Sequence, residues 1–217
     1  MHDSRKEYSM YLTRVELDCR NKKTQAALMS HNLFHGAVER SFEPKQKRNL
    51  WRIDSLNGGY YLMLLSEIEP QMDNFIRQFC KPGTKAETKK YDKLLNRTEN
   101  GQYWNFRLVA SPTYRQPAAR GEKGKITSYN TEQEQKDWLI KKAEKYGFTV
   151  NDNSFRVAGK ERKLFKKNKD ETNRVNMVLV TFEGVLKIVD VTLFRKALCS
   201  GIGREKAFGA GMLTICR

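Results

Sequence analysis

The sequence predicts an α+β fold of two similar halves, each ordered β-α-β-β-α-β, with a basic β-hairpin inserted in the second. Three observations predict it. Short runs of period-two alternation are separated by stretches of helical period, in the same order twice along 217 residues. Asn57-Gly58 joins two strand-like runs in the first half, a tight-turn signal because such turns need positive φ. Thr131-Glu132-Gln133-Glu134 opens a helix in the second half as a capping box.

Residues 1–9 (MHDSRKEYS) read as an N-terminal arm outside the fold, with no apolar core of a signal peptide. Met10 to Asp18 sets Tyr11, Thr13, Val15 and Leu17 against Leu12, Arg14 and Glu16, a strand. Thr24 to Phe42 is helical in period, with Ser30-His31-Asn32 a candidate break and Phe34, Val38 and Phe42 on one face. Pro44 and Lys45 to Arg48 form a basic loop. Leu50 to Leu56 and Tyr60 to Leu65 are paired strands, and Pro70 opens a helix that turns Met72, Phe75, Ile76 and Phe79 inward. Thr84 to Asn100 is polar and aperiodic and reads as a linker or surface loop, although a segment after Pro82 is needed to supply the missing strand of the first half.

Gln102 to Ala110 alternates again and opens the second half. Tyr114 to Lys125 is a loop carrying Arg115, Arg120, Lys123 and Lys125. The capped helix follows, with Trp138, Leu139 and Ala143, closed by Gly147. Phe155 to Val157 is a short strand, and Lys160 to Lys169 reads as a basic β-hairpin. Val175 to Phe182 and Val185 to Val189 are strands across a Glu183-Gly184 turn, Val191 to Cys199 a helix, and Met212 to Cys216 the last strand. The topology of each half is ferredoxin-like, the arrangement also used by the RRM. The expected division is an arm over 1–9, a first domain over 10–100 and a second over 101–217.

The formal net charge of +16 points to polyanions, nucleic acid before membrane. No apolar run approaches the ~18 residues of a membrane span. Cys19, Cys80, Cys199 and Cys216 stand apart with no C-x-x-C pair, so no zinc knuckle or redox motif is expected and a reducing cytoplasm is.

Two features could carry chemistry. His31 and His35 are four apart; on an unbroken helix they share a face, and Glu39 would be a third ligand to a metal. The companion glutamate of H-E-x-x-H is absent, since Asn32 follows His31, and no metal or other cofactor is expected. The other reading is acid–base chemistry: RNA is cut when its own 2′-hydroxyl attacks the adjacent phosphorus, and histidine can serve as base or acid near neutral pH. Arg40 would face the phosphate. An incidental histidine on a partly exposed helix shows the same spacing. The second feature is the run Gly201 to Gly211, where Gly201, Gly203, Gly209 and Gly211 would let backbone amides approach phosphates, with Arg204 and Lys206 adding charge. The basic stretch Lys160, Arg162, Lys163, Lys166, Lys167 and Lys169, interleaved with Leu164 and Phe165, suits a nucleic-acid groove.

Met10 to Leu17, Leu33-Phe34-His35-Gly36-Ala37-Val38-Glu39-Arg40-Ser41-Phe42, Phe106 to Pro112, Phe182-Glu183-Gly184-Val185-Leu186, and Gly201-Ile202-Gly203 through Gly211-Met212-Leu213 occur in an order that resembles the CasE family, the CRISPR repeat-processing endoribonucleases of type I-E Cascade. The resemblance runs from Met10 to the C-terminus. It implies a double ferredoxin-like fold and metal-independent cleavage of precursor CRISPR RNA at the repeat stem-loop, leaving a 2′,3′-cyclic phosphate and a 5′-hydroxyl. It implies continued binding to the mature guide RNA among other Cascade subunits, with no membrane or small-molecule partner. The family's catalytic histidine falls at His35. A tyrosine common three residues earlier is replaced by Asn32, which leaves the second acid–base partner unassigned, with His31 a substitute. A basic residue found in some members matches Arg40, and the family's RNA-binding hairpin points to Lys160 to Lys169. The rival expectations are a non-catalytic RNA-hairpin-binding protein and a metal-dependent nuclease.

Overall fold

Tyr11–Leu17 forms β1, whose Thr13, Val15 and Leu17 are buried. The computed structural model describes residues 9–43, 49–117, 119, 121–166 and 174–217. Strands β2 (Leu50–Leu56) and β3 (Gly59–Ser66) pair antiparallel around a turn with Asn57 at φ 50° and Gly58 at φ 78°, the left-handed pair that a two-residue hairpin demands. The helical run breaks at Ser30-His31 into α1 (Lys22–Met29) and α2 (Asn32–Glu39). Helix α3 (Asp73–Phe79) starts three residues after Pro70 rather than at it.

The stretch 84–100 is not a loop. Glu87–Lys90 forms β4, antiparallel to β1, and Asp92–Asn96 forms the short helix α4. Its elements are four and five residues long, too short to show a period, and are anchored by buried Tyr91, Leu95 and Thr98. The first sheet is ordered β2-β3-β1-β4. Phe34, Ala37, Val38, Phe75 and Phe79 pack against its Val15, Leu17, Leu62 and Leu64, completing one ferredoxin-like unit.

The second unit uses β5 (Tyr103–Ala110), α5 (Glu132–Lys145), β8 (Phe148–Thr149), β9 (Phe155–Lys166), β10 (Arg174–Ile188), α6 (Val191–Ser200) and β11 (Leu213–Cys216), in the sheet order β11-β5-β10 with β8 and β9 both on β10. The capping box at Thr131 forms, with Glu134 returning to the cap. Between β5 and α5, β6 (Thr113–Arg115) and β7 (Ile126–Ser128) pair, so the basic segment expected as a loop is flanked by a small hairpin.

Three expectations about the second sheet are corrected. Phe155 to Lys166 is one strand with a bulge opposite Thr181/Phe182, not a short strand followed by a separate hairpin. The described part of the basic stretch, Lys160 to Lys166, therefore lies on β9, paired antiparallel with β10. Glu183-Gly184 makes no turn: β10 runs through it unbroken. Gly184 is required for closeness, because a Cβ there would lie 2.2 Å from the Ser154 carbonyl oxygen.

The two units share a core. Met10, Leu50, Leu65, Tyr91 and Leu95 of the first pack in one cluster with Trp104, Phe182, Phe194 and Leu198 of the second. Arg52, 3 % exposed, braces the junction: Nε donates to the Asp54 carboxylate at 2.8 Å, Nη1 to the carbonyls of Met212 and Arg107, and Nη2 to Thr214 Oγ1. A guanidinium buried at such a place is tolerated because nearly all its donors are used.

Candidate active site and RNA interface

Helix α2 stands on the seam between the units. Its apolar residues Phe34, Ala37 and Val38 face the first core, which leaves His35 on the flank, with its side chain 31 % exposed. The His35 ring meets the edge of Phe208 at 5.8 Å between centroids, and Nε2 lies 3.4 Å from Glu39 Oε1 one turn on. Phe208 belongs to a 3-10 turn, Lys206–Phe208, inside the glycine-rich run, and it also packs on Phe165 of β9. Arg40 ends the helix, exposed, with its guanidinium folded over Gly36, where a Cβ would come within 3.3 Å of Nη1.

His31 does not share that surface. It is 4 % exposed, packed on Trp51 at 5.5 Å, and its Nδ1 is 2.8 Å from the Phe208 carbonyl oxygen. A carbonyl only accepts, so Nδ1 carries the proton and donates. Burial pushes the His31 pKa below its ordinary value, and the Lys163 charge adds to that, against an opposing contribution from the Phe208 bond. The histidine expected as a second acid–base group is a neutral pin holding the glycine-rich run to α2. His31, His35 and Glu39 do not converge, and among the described residues no group of three or more His, Cys, Asp or Glu side chains is arranged to hold a metal ion. Asn32, at the first position of α2, accepts a 2.6 Å bond from Ser30 Oγ and donates to the Lys166 carbonyl at 3.1 Å.

The basic stretch divides by strand parity. Lys160, Arg162 and Lys166 are exposed on the outer face of β9; Lys160 donates to the Asn130 carbonyl and Arg162 to Asn176. Lys163 points inward, 6 % exposed, donating to the Leu28 carbonyl at 2.5 Å and paired with Glu161. It fastens β9 to α1 and is not available to RNA, contrary to expectation. Lys167, Lys169 and Arg120 lie outside the described residues, as do Lys45 to Arg48.

The glycine-rich run is also corrected. Gly201, Gly209 and Gly211 are buried, and their amides donate to the carbonyls of Ala197, Lys206 and Val109. Those amides are committed within the chain and cannot cradle phosphate; the glycines serve close packing, since a Cβ on Gly209 would stand 3.0 Å from the Trp51 ring. Lys206 donates to the Ser200 carbonyl at 2.7 Å. Gly203 is half-buried and Arg204 exposed, and both line a cleft of about 280 Å³ with Arg115 and Tyr114. Lys142 of α5 joins them there, a residue sequence reasoning passed over because it reads as an ordinary helix-surface lysine. Arg115 donates to the Gly124 carbonyl, and Lys123 is exposed nearby in sequence. Phe208, which touches His35, carried no signal beyond its place in the glycine run, while Glu39 was singled out only as a candidate metal ligand one turn after His35.

Fold and site together define a basic, double ferredoxin-like protein with a histidine on the seam of its two units and a cationic strand fastened beside it. The chain belongs to the CRISPR-associated protein family, whose family model matches residues 10–217. It is 26 % identical over 222 residues to the CRISPR-associated endoribonuclease Cse3 of Thermus thermophilus, covering 95 % of this chain and 99 % of the relative. The solved structure of Thermus thermophilus Cse3 bound to an RNA representing a pre-cleavage complex is similar at a TM-score of 0.80 and 21 % identity, over 97 % of this chain and 100 % of that one. A chain of a CRISPR RNA-guided surveillance complex, pre-nicking, matches at a TM-score of 0.68 and 24 % identity, over 95 % and 99 %.

Proposed function

We propose that this chain is a metal-independent endoribonuclease that binds the CRISPR repeat stem-loop and cuts precursor CRISPR RNA with His35 at the scissile bond. It then stays on the mature guide RNA in the cytoplasm as a subunit of a Cascade-type complex, with the first domain ending near residue 100. The observation that carries this reading is the accessible His35, steadied by Phe208, on a helix tied directly to the exposed basic strand β9. Family membership and the endoribonuclease relative support it.

The chemistry follows from the groups present. The 2′-hydroxyl attacks phosphorus, its proton leaves, and the 5′-oxygen departs with a proton, giving a 2′,3′-cyclic phosphate and a 5′-hydroxyl. His35 presents an imidazole on this surface, a group that can act as general base or general acid. Glu39 orients its ring, and Arg40 supplies a guanidinium fork for the phosphorane charge. Asn32 has an amide that does not ionise, and His31 is sealed in the core.

Neither Asn32 nor His31 can be the second acid–base group, and the Glu39 carboxylate beside His35 is the titratable side chain left for it; without such a role the rival reading is a non-catalytic hairpin-binding protein, and one experiment separates the two. The protein is incubated in EDTA with its repeat hairpin, with and without a 2′-deoxy sugar at the cut site. Cleavage that survives EDTA, is abolished by the deoxy sugar and falls by at least about 10²-fold in His35→Ala while binding persists is the expected result. Near-normal cleavage by His35→Ala would overturn the assignment, and hairpin binding with no cleavage would favour the rival.

A further inference from the structure

We infer that the helix-free face of the C-terminal sheet is a second RNA surface, one that takes single-stranded RNA with Tyr103 as its stacking platform. Strands β5 and β10 are adjacent at the middle of this sheet. Trp104, Phe106 and Leu108 of β5 are buried in the core beneath α5 and α6, so strand alternation puts their neighbours on the opposite face. Register sets Arg107 across from Glu183, Asn105 across from Val185, and Tyr103 across from Lys187.

One end of that face is closed. Val109, Met177 and Leu179 pack there against Phe208 and Ala210. The other end is an open trough of about 620 Å³ lined by Asn105, and Tyr103, two residues before it at the start of β5, is 64 % exposed. Lys187 Nζ stands 5.6 Å from the centre of the Tyr103 ring. The ammonium lies over the ring, so a nucleotide would take its place: the base stacks on the ring as Lys187 moves off it to meet the phosphate. Asn105, Asn153 and Ser154 line the trough with amide and hydroxyl groups suited to base edges, and the Arg156 side chain is 77 % exposed at its wall. Glu183 is the carboxylate of the described lining and pairs with Arg107 and Arg156; Arg107 also pairs with Asp54 of β2, so the exposed Arg156 and Lys187 carry the positive charge this face offers a phosphate.

Val185 and the Tyr103 ring are the large apolar side chains exposed on this face, and the cations Arg156 and Lys187 stand with them, so the occupant that matches is a polyanion carrying aromatic bases. Arg107 also lines the neighbouring cleft of about 530 Å³ between the units, which reaches Lys160 and His31. The trough and the seam cleft therefore adjoin at Arg107, which places the trough next to the basic seam where a strand flanking the hairpin would emerge.

The test uses the full chain and a labelled, unstructured oligouridylate of about 12 nucleotides, followed by anisotropy at fixed salt. The wild type is expected to bind, Tyr103→Ala to weaken binding roughly tenfold, and Tyr103→Phe, which keeps the ring, to restore it. A repeat hairpin without flanks should bind Tyr103→Ala as it binds wild type. Cys216 gives a second readout: it is exposed and pairs with Asn105 on this face. Burial pushes the Cys80 and Cys199 thiols up to about 12, so alkylation reports chiefly on the other two cysteines, and peptide mapping isolates Cys216. Oligouridylate should protect Cys216.

Unchanged oligouridylate affinity in Tyr103→Ala, or no protection of Cys216, would overturn the inference. Protection by polyglutamate equal to that by RNA would reassign the face to an acidic protein segment. Failure of hairpin cleavage with oligouridylate binding intact would refute the nuclease reading and leave this surface standing.

Discussion

His31 makes acid stability a direct test of the seam. Its ring is buried and neutral, and burial lowers its pKa from 6.5. In the unfolded chain the ring titrates at its ordinary value. Between that value and the lowered folded one, the unfolded state holds more protons than the folded state. Stability is therefore fully present above pH 6.5 and falls as pH drops through the window. One such group contributes at most about 1.4 kcal/mol per pH unit, and the slope flattens once the folded ring itself protonates. The matched variant is His31→Asn, whose amide can stand in for the Nδ1–H toward the Phe208 carbonyl and does not titrate. It should cost about 1–3 kcal/mol at neutral pH through lost ring packing on Trp51 and Phe34. Urea unfolding of both proteins from pH 7.5 down to about 5.5 gives the difference, in which the other two histidines cancel. The gap should narrow on acidification, approaching that limiting slope below the unfolded value. Parallel curves across the range would mean that His31 is not held neutral in the core, and the assignment of His35 as the lone working histidine would lose its structural ground.

Three further outcomes follow from contacts at the seam. Glu39→Gln should slow hairpin cleavage only about two- to fivefold, since its carboxylate is 58 % exposed and such pairs are worth about 0–1 kcal/mol; a loss as large as that of His35→Ala would make Glu39 a proton-transfer group instead. Gly209→Ala should destabilise by about 1–2 kcal/mol for its φ of 85° and about 1–3 kcal/mol for the contact with Trp51, read by urea unfolding, and a neutral effect would refute the packing role of the run. Arg162→Ala with Lys166→Ala should weaken hairpin binding and reduce the slope of log K against log salt by roughly 0.7–0.9 per lost phosphate contact, while Lys163→Met should lower stability and leave that slope unchanged.

Which parts of this structure were legible in the sequence follows from which signals are local. The strands of the first sheet, the Asn57-Gly58 turn, the Thr131 capping box and the break at Ser30 are set by residues within a few positions of one another. Both ferredoxin-like units could therefore be read. Gly184 misled because Glu-Gly resembles a turn, whereas its missing Cβ answers a demand from Ser154 and Phe155 across the strand pair. The strand and helix after residue 84 hid in a polar stretch, because buried Tyr91 and Leu95 mark no period over elements so short. At the site, the four-residue spacing of His31 and His35 suggested a shared face. The His31 backbone is already helical, and the rings part because His31 turns inward to Trp51 and the Phe208 carbonyl while His35 lies against the Phe208 ring at the surface. The glycines were read as phosphate-binding because their amides looked free; the bonds that occupy them come from residues near and far alike, Val109 among them.

The strand period of β9 explains how one segment can both carry the proposed RNA-binding cations and support the proposed active site. Its inward side chains Lys163 and Phe165 hold α1 through the Leu28 carbonyl and the 3-10 turn through Phe208. Its backbone at Lys166 holds α2 through Asn32. The alternate positions Lys160, Arg162 and Lys166 face outward as a consequence. A one-residue slip would bury the outward cations and expose the pins, so catalytic support and RNA binding fail together under such a change. Point substitutions on the outer face do not disturb the pins. Binding and cleavage are then separable by side-chain replacement on β9 and inseparable by insertion within it.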